Sequence, residues 1–212
     1  DYDEGLKVAE LRMQPQPHQK RVAERLRGSP GLLAYHGLGS GKTLTAINAA
    51  HELGLPLLAI VPASLKYNME KEIAAAGFKH PVMILSHQEA MNRLNDPDFR
   101  AFAGKALVAY DEGHRLGRVD SARSRLAAEV PAAKKLFLTG TPIRNEPSEL
   151  APLLNAISPG SFPETATGFN QRYVERQKVP VGFWGQLRGA KPGVTHVPIN
   201  MDSFRKAVGD KV

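Results

Sequence analysis

The octapeptide His36-Gly37-Leu38-Gly39-Ser40-Gly41-Lys42-Thr43 constrains this chain most, because it joins the apolar run Leu32 to Tyr35 to a helically patterned segment, Lys42 to Leu53. Glycines at 37, 39 and 41 let the backbone curl and turn its N–H groups onto phosphate oxygens. A helix opening at Lys42 adds the positive end of its dipole. Lys42 then reaches the β- and γ-phosphates, and Thr43 is placed to hold Mg²⁺. Gly37, Leu38, Gly39, Ser40, Gly41, Lys42 and Thr43 are therefore expected to bind a nucleoside triphosphate. The strict pattern places Gly where this chain has His36. The strand–loop–helix setting separates the loop from a chance glycine turn.

Short apolar runs alternate with helical patterns on both sides of the loop. Strands are expected over Leu32 to Tyr35, Pro56 to Val61, Val82 to Leu85, Ala106 to Tyr110 and Lys135 to Leu138. Helices are expected over Pro17 to Arg27, Lys42 to Leu53, Ser64 to Ala75, Gln88 to Leu94, Ser121 to Ala128 and Ser148 to Ile157. This rhythm predicts an α/β fold, a parallel sheet with helices on both faces. Ligands of such folds bind at the carboxyl ends of the strands. From about Glu146 the rhythm fails, and a stretch rich in Gly, Pro and aromatics follows. Residues 1–145 are read as the nucleotide-binding core and 146–212 as a helical or irregular extension.

Every polar motif falls just after an apolar run. Ala106 to Tyr110 leads into Asp111-Glu112-Gly113-His114. A carboxylate ending a strand beside the phosphate loop suits Mg²⁺, which assigns Asp111 to the metal with Thr43. Glu112 is placed to polarise an attacking water, and His114 to hydrogen-bond toward the neighbouring loop. Taken alone, these residues equally describe a solvated acidic turn. Thr139, Thr141 and Asn145 follow the last strand, where Thr139-Gly140-Thr141-Pro142 also reads as an ordinary turn.

The loop, Asp111-Glu112-Gly113-His114 and Leu138-Thr139-Gly140-Thr141-Pro142-Ile143-Arg144-Asn145, in this order, resemble the motor core of helicase superfamily 2 and within it the Snf2-like translocases. The acidic tetrapeptide resembles the DEAH-type box of motif II. The Thr-Gly-Thr-Pro segment resembles motif III, with Arg144 where Gln is usual. Val61-Pro62-Ala63-Ser64-Leu65 looks like motif Ia, and Ser86-His87 sits where motif Ib falls. Leu11-Arg12 and Pro17-His18-Gln19 resemble the upstream Gln motif, which implies that Gln19 reads adenine. The resemblance implies a RecA-like P-loop NTPase lobe. It further implies an ATP hydrolase that couples ATP and Mg²⁺ to movement on double-stranded DNA, with backbone contacts from Pro62, Ser64, Lys66, Ser86 and Thr141. The family's engine has a second RecA-like lobe that supplies arginine fingers. None is visible before Val212, and the chain opens on Asp1 rather than Met. A first lobe on its own, weakly active or inactive, is the expectation.

Other features set the limits. The net charge of +7 favours a polyanionic partner, although a merely basic surface explains it equally. No long apolar run suits a membrane, and the opening residues lack signal-peptide character, so a cytoplasmic or nuclear protein is expected. There is no cysteine and no metal-ligand spacing among the histidines. Lys66, Lys71 and Lys79 read as a solvated face. Phe183 and Trp184 read as packing residues before a base-stacking platform. A strand-separating helicase, a restriction-enzyme motor subunit and a non-catalytic nucleotide- or nucleic-acid-binding module remain alternatives.

Overall fold

The computed structural model describes residues 11–35, 41–111, 122–140, 147–163, 166–179 and 193–198. Five strands form one fully parallel sheet: β1 (Gly31–Tyr35), β2 (Leu57–Val61), β3 (Val82–Ser86), β4 (Leu107–Asp111) and β5 (Lys134–Thr139). Their order across the sheet is β1-β5-β4-β2-β3. The strand carrying Asp111 is therefore not the sheet neighbour of β1, because β5 stands between them.

Alternation along the strands builds two cores. Leu32, Ala34, Leu57, Ala59, Val61, Leu107, Ala109, Leu136 and Leu138 pack under α1 (Pro17–Arg27), α2 (Lys42–Leu53) and α3 (Lys66–Ala76). Leu33, Leu58, Ile60, Leu85, Val108, Tyr110 and Phe137 pack against the opposite helices. Those are α4 (His87–Asn92), α5 (Pro97–Lys105), α6 (Ala122–Glu129) and α7 (Ala151–Ile157). Tyr110 stacks on Phe137 with centroids 4.8 Å apart and planes at 14°. Such a pair adds about 0.5–1.5 kcal/mol beyond its buried area.

Helix ends follow local chemistry. α2 starts from Gly41 at φ 70° and stops at Gly54 in the left-handed region. Its buried residues Ala46, Ala49 and Ala50 are small, which lets the helix lie close to the sheet. Two adjacent lysines of β5 serve helices on opposite faces. Lys134 Nζ donates to Ser29 O just past α1 at 2.7 Å, and Lys135 Nζ donates to Ala127 O of α6 at 2.7 Å. Burial pushes the Lys135 ammonium down to about 8.

Several expectations need correction. The helix expected over Ser64 to Ala75 divides into a 3-10 turn, Ala63–Leu65, and α3, because Leu65 N bonds Pro62 O at 2.9 Å. The helix expected from Gln88 starts at His87, capped by Ser86. α5 was not anticipated, although Asp96 as cap and Pro97 at its first position mark its start. The segment after 146 is more regular than expected. A 3-10 turn (Pro147–Leu150) leads into α7, followed by α8 (Ala166–Tyr173) and an antiparallel pair, β6 (Val174–Val179) with β7 (Gly193–Pro198).

The core also runs past residue 145. Leu153, Ala156 and Ile157 of α7 join the second core, while its Ala151 and Leu154 pack on Phe162, Phe169 and Tyr173. Gly31, between β5 and α7, has no room for a side chain. A Cβ there would meet Lys135 O at 2.7 Å and Ile157 Cγ1 at 3.1 Å. No described helix is long and apolar enough to cross a membrane.

Candidate active site

The carboxyl ends of the five strands share one edge of the sheet. Ala34 and Asp111 both pair in register with Leu138, and Tyr35 pairs with Thr139. Asp111 thus sits level with the end of β1 although β5 intervenes. α2 begins above this row. Lys42 Nζ lies 4.0 Å from Asp111 Oδ1, and each side chain keeps part of its surface open to solvent. Lys42, Thr43, Ala46, Val61, Met69, Ala109, Asp111 and Leu138 line one small cleft there. The structure therefore brings together three expected site residues from two distant stretches of chain. Thr139, at the end of β5, is fully buried in the strand that lies between β1 and β4, the latter carrying Asp111.

The Gly41 carbonyl is the anchor of the loop's end. It accepts from Thr45 N at 3.0 Å, Thr45 Oγ1 at 3.1 Å and Gln19 Nε2 at 3.2 Å. Gln19 is 2% exposed, and its Oε1 accepts from Gln16 N at 2.8 Å. Asn48 Nδ2 donates to Gln19 O at 3.3 Å and closes the α1–α2 contact. Gln19 thus ties the start of α1 to the start of α2. Thr45 and Asn48 belong to this clamp and went unnoticed in the sequence, where they read as ordinary helix positions.

The donor set fits the ion and nucleotide that the motif implies. A Thr43 hydroxyl and the Asp111 carboxylate are hard oxygen ligands sharing a cleft, which suits Mg²⁺ carried with phosphates. The 4.0 Å separation exceeds a charge-assisted hydrogen bond, so Lys42 and Asp111 face a common space rather than closing on each other. No cluster of three His, Asp or Glu residues exists among the described residues, so nothing there resembles an all-protein metal cage.

A second set of expected residues lies along the same edge. Val61 pairs with Ser86 across β2 and β3. Pro62 caps the 3-10 turn, within which Ser64 is exposed. Lys66, expected on a solvated face, instead grips Glu89 with contacts of 2.9 and 2.8 Å to its two carboxylate oxygens. Glu89 Oε2 also accepts from Ser86 N at 2.6 Å, and Ser86 Oγ accepts from Glu89 N at 3.2 Å. The Lys66 hydrogen bond, then those from Ser86, hold the Glu89 carboxyl down to about 2. Glu89 was missed, although Ser86-x-x-Glu89 is a legible capping box. Lys71 lies 4.3 Å over the Tyr67 ring. Gly37, Leu38, Gly39, Ser40, Glu112, His114, Thr141, Asn145, Phe183 and Trp184 lie outside the described residues.

Comparison with known proteins adds a family. The model of the SNF2-related domain matches residues 68–181. L538 of Acanthamoeba polyphaga mimivirus, named as a candidate ATP-dependent RNA helicase, is 27% identical over 162 residues, covering 76% of this chain and 36% of L538. The ATP-dependent DNA helicase DDM1 of Arabidopsis thaliana is 33% identical over 168 residues, covering 64% of this chain and 22% of DDM1. The SWI2/SNF2 ATPase core of Sulfolobus solfataricus in complex with dsDNA superposes with a TM-score of 0.69 at 17% identity. That alignment covers 97% of this chain and 45% of the other, and it shows that the fold is the RecA-like one. The chain thus spans less than half the length of each of these proteins.

Proposed function

This chain belongs to the SNF2-related domain family, and we propose that it is the ATP-binding lobe of a motor that hydrolyses ATP to move on, or remodel, double-stranded DNA. The convergence of Lys42, Thr43 and Asp111 in one cleft at the strand ends carries this reading. Lys42 would place its ammonium against the β- and γ-phosphates of bound ATP. Thr43 and Asp111 would hold Mg²⁺, which when bound neutralises phosphate charge. Gln19, already clamped to Gly41, would steady the loop end and present its segment to adenine. Gly37, Leu38, Gly39 and Ser40 would supply backbone N–H groups to the phosphates. Glu112 would orient water for in-line attack, with His114 beside it.

Pro62, Ser64, Lys66, Ser86 and Thr141 are proposed to meet the nucleic-acid backbone. A second lobe would supply the arginines that complete the site, so this stretch alone should turn over ATP slowly or not at all. Residues 1–145 as core and 146–212 as extension remain a proposed division, adjusted by α7. A cytoplasmic or nuclear setting suits such a motor. The test is Lys42→Ala in the full-length protein. DNA-stimulated ATPase should vanish, and turnover near the unsubstituted level would overturn the assignment.

The name of L538 favours a second reading, RNA as the track. Stimulation of the full-length ATPase by duplex RNA but not by duplex DNA would select it.

A further inference from the structure

We propose that Glu89 is a positioning residue that holds Lys66 in reserve, so that a nucleic-acid phosphate must take the Lys66 ammonium from an internal carboxylate. The proposal deepens the nucleic-acid reading above and rests on it.

Two halves of one surface meet at this pair. Lys66 opens α3 beyond β2, and Glu89 lies in α4 just beyond β3. The strands are neighbours, with Val61 opposite Ser86. Glu89 is anchored independently of Lys66, because the Ser86 N–H at 2.6 Å and the reciprocal Ser86 Oγ contact at 3.2 Å belong to the start of its own helix. The carboxylate therefore stays in place when the lysine leaves. Lys66 has a flexible four-carbon stem and can partition between acceptors.

The pair is also open to exchange. The side chains are 27% and 43% exposed, and ion pairs at such sites are weak. A phosphate offers the same kind of anionic oxygen that Glu89 now presents. Paired, the two residues carry no net charge and add nothing to long-range attraction. Contact with a phosphate is what releases the lysine. The arrangement favours a track that is gripped at close range and let go without a residual positive charge.

Equilibrium binding of the full-length protein to duplex DNA, measured by fluorescence anisotropy over a salt series, tests this. Glu89→Gln keeps the capping box, in which Gln serves as well as Glu, but frees the lysine. It should bind several-fold more tightly near 50 mM salt, with a log–log salt slope steeper by about 0.9, one further released counterion. Adding Lys66→Met should abolish the gain. Unchanged or weaker binding by Glu89→Gln, or a gain that survives Lys66→Met, overturns the proposal while the nucleic-acid reading stands. If the unsubstituted protein binds no duplex at any salt concentration, the nucleic-acid reading falls and takes the proposal with it.

Discussion

Lys42 Nζ and Asp111 Oδ1 stand 4.0 Å apart over the end of a strand that belongs to neither. The two charges are close enough to sense each other and far enough to admit a third partner. Asp111→Asn should therefore leave nucleotide affinity in EDTA nearly intact and remove the enhancement that Mg²⁺ brings. DNA-stimulated turnover of the full-length protein should fall at least about 100-fold, roughly 2.7 kcal/mol of barrier. Titration of a fluorescent ATP analogue with and without Mg²⁺ checks this, and an unchanged Mg²⁺ dependence would remove Asp111 from the metal site.

Gln19→Ala should act on stability as well as on the ligand. It strips one donor from Gly41 O and leaves Gln16 N without its side-chain acceptor, at a position only 2% exposed. The expected cost is about 1–3 kcal/mol. For a chain of this size each kcal/mol lowers Tm by roughly 2–4 °C. A melt that matches the unsubstituted protein, with weaker nucleotide binding, would assign Gln19 to the ligand alone.

Tyr110→Phe should stabilise the fold. The ring is fully buried against Phe137, and its hydroxyl finds no hydrogen-bond partner among the described residues. Burial pushes that phenol far above its usual range. Removing an unpaired buried hydroxyl should gain about 1 kcal/mol, read as a rise in Tm. A fall would mean that the hydroxyl is satisfied in solution.

Two groups shape the pH dependence of stability, with opposite consequences for design. Glu89 is held down to about 2 from an ordinary 4.5, so its contribution is whole above pH 4.5 and disappears as pH falls through 2. Lys135 is pushed down to about 8 from 10.5, so the unfolded chain binds its proton more tightly. Stability should then rise between pH 8 and 10.5 as the folded lysine sheds its charge. Urea unfolding across both windows measures this. Glu89→Gln should flatten the acid limb and Lys135→Met the alkaline one.

Much of this was legible because strand and helix patterning is local. The runs at Leu32, Leu57 and Leu107 needed only their own residues, and each motif followed the strand that displays it. The sheet order was not legible, since nothing local says that β5 inserts between β1 and β4. The Lys66–Glu89 link joins residues from two helices and depends on strands pairing first. The core role of α7 depends on the sheet face it covers, a long-range condition that composition near Glu146 does not carry.

β5 also sets a gauge. Neighbouring strands lie about 4.8 Å apart, so Ala34 and Asp111, in register on either side of Leu138, stand roughly 10 Å apart. Backbone hydrogen bonds fix that span, so core substitutions can loosen the sheet without rescaling it. The long side chain of Lys42, rooted in α2 rather than in the sheet, brings its ammonium to 4.0 Å from Asp111, and a shorter cation there would fall short however well it packed.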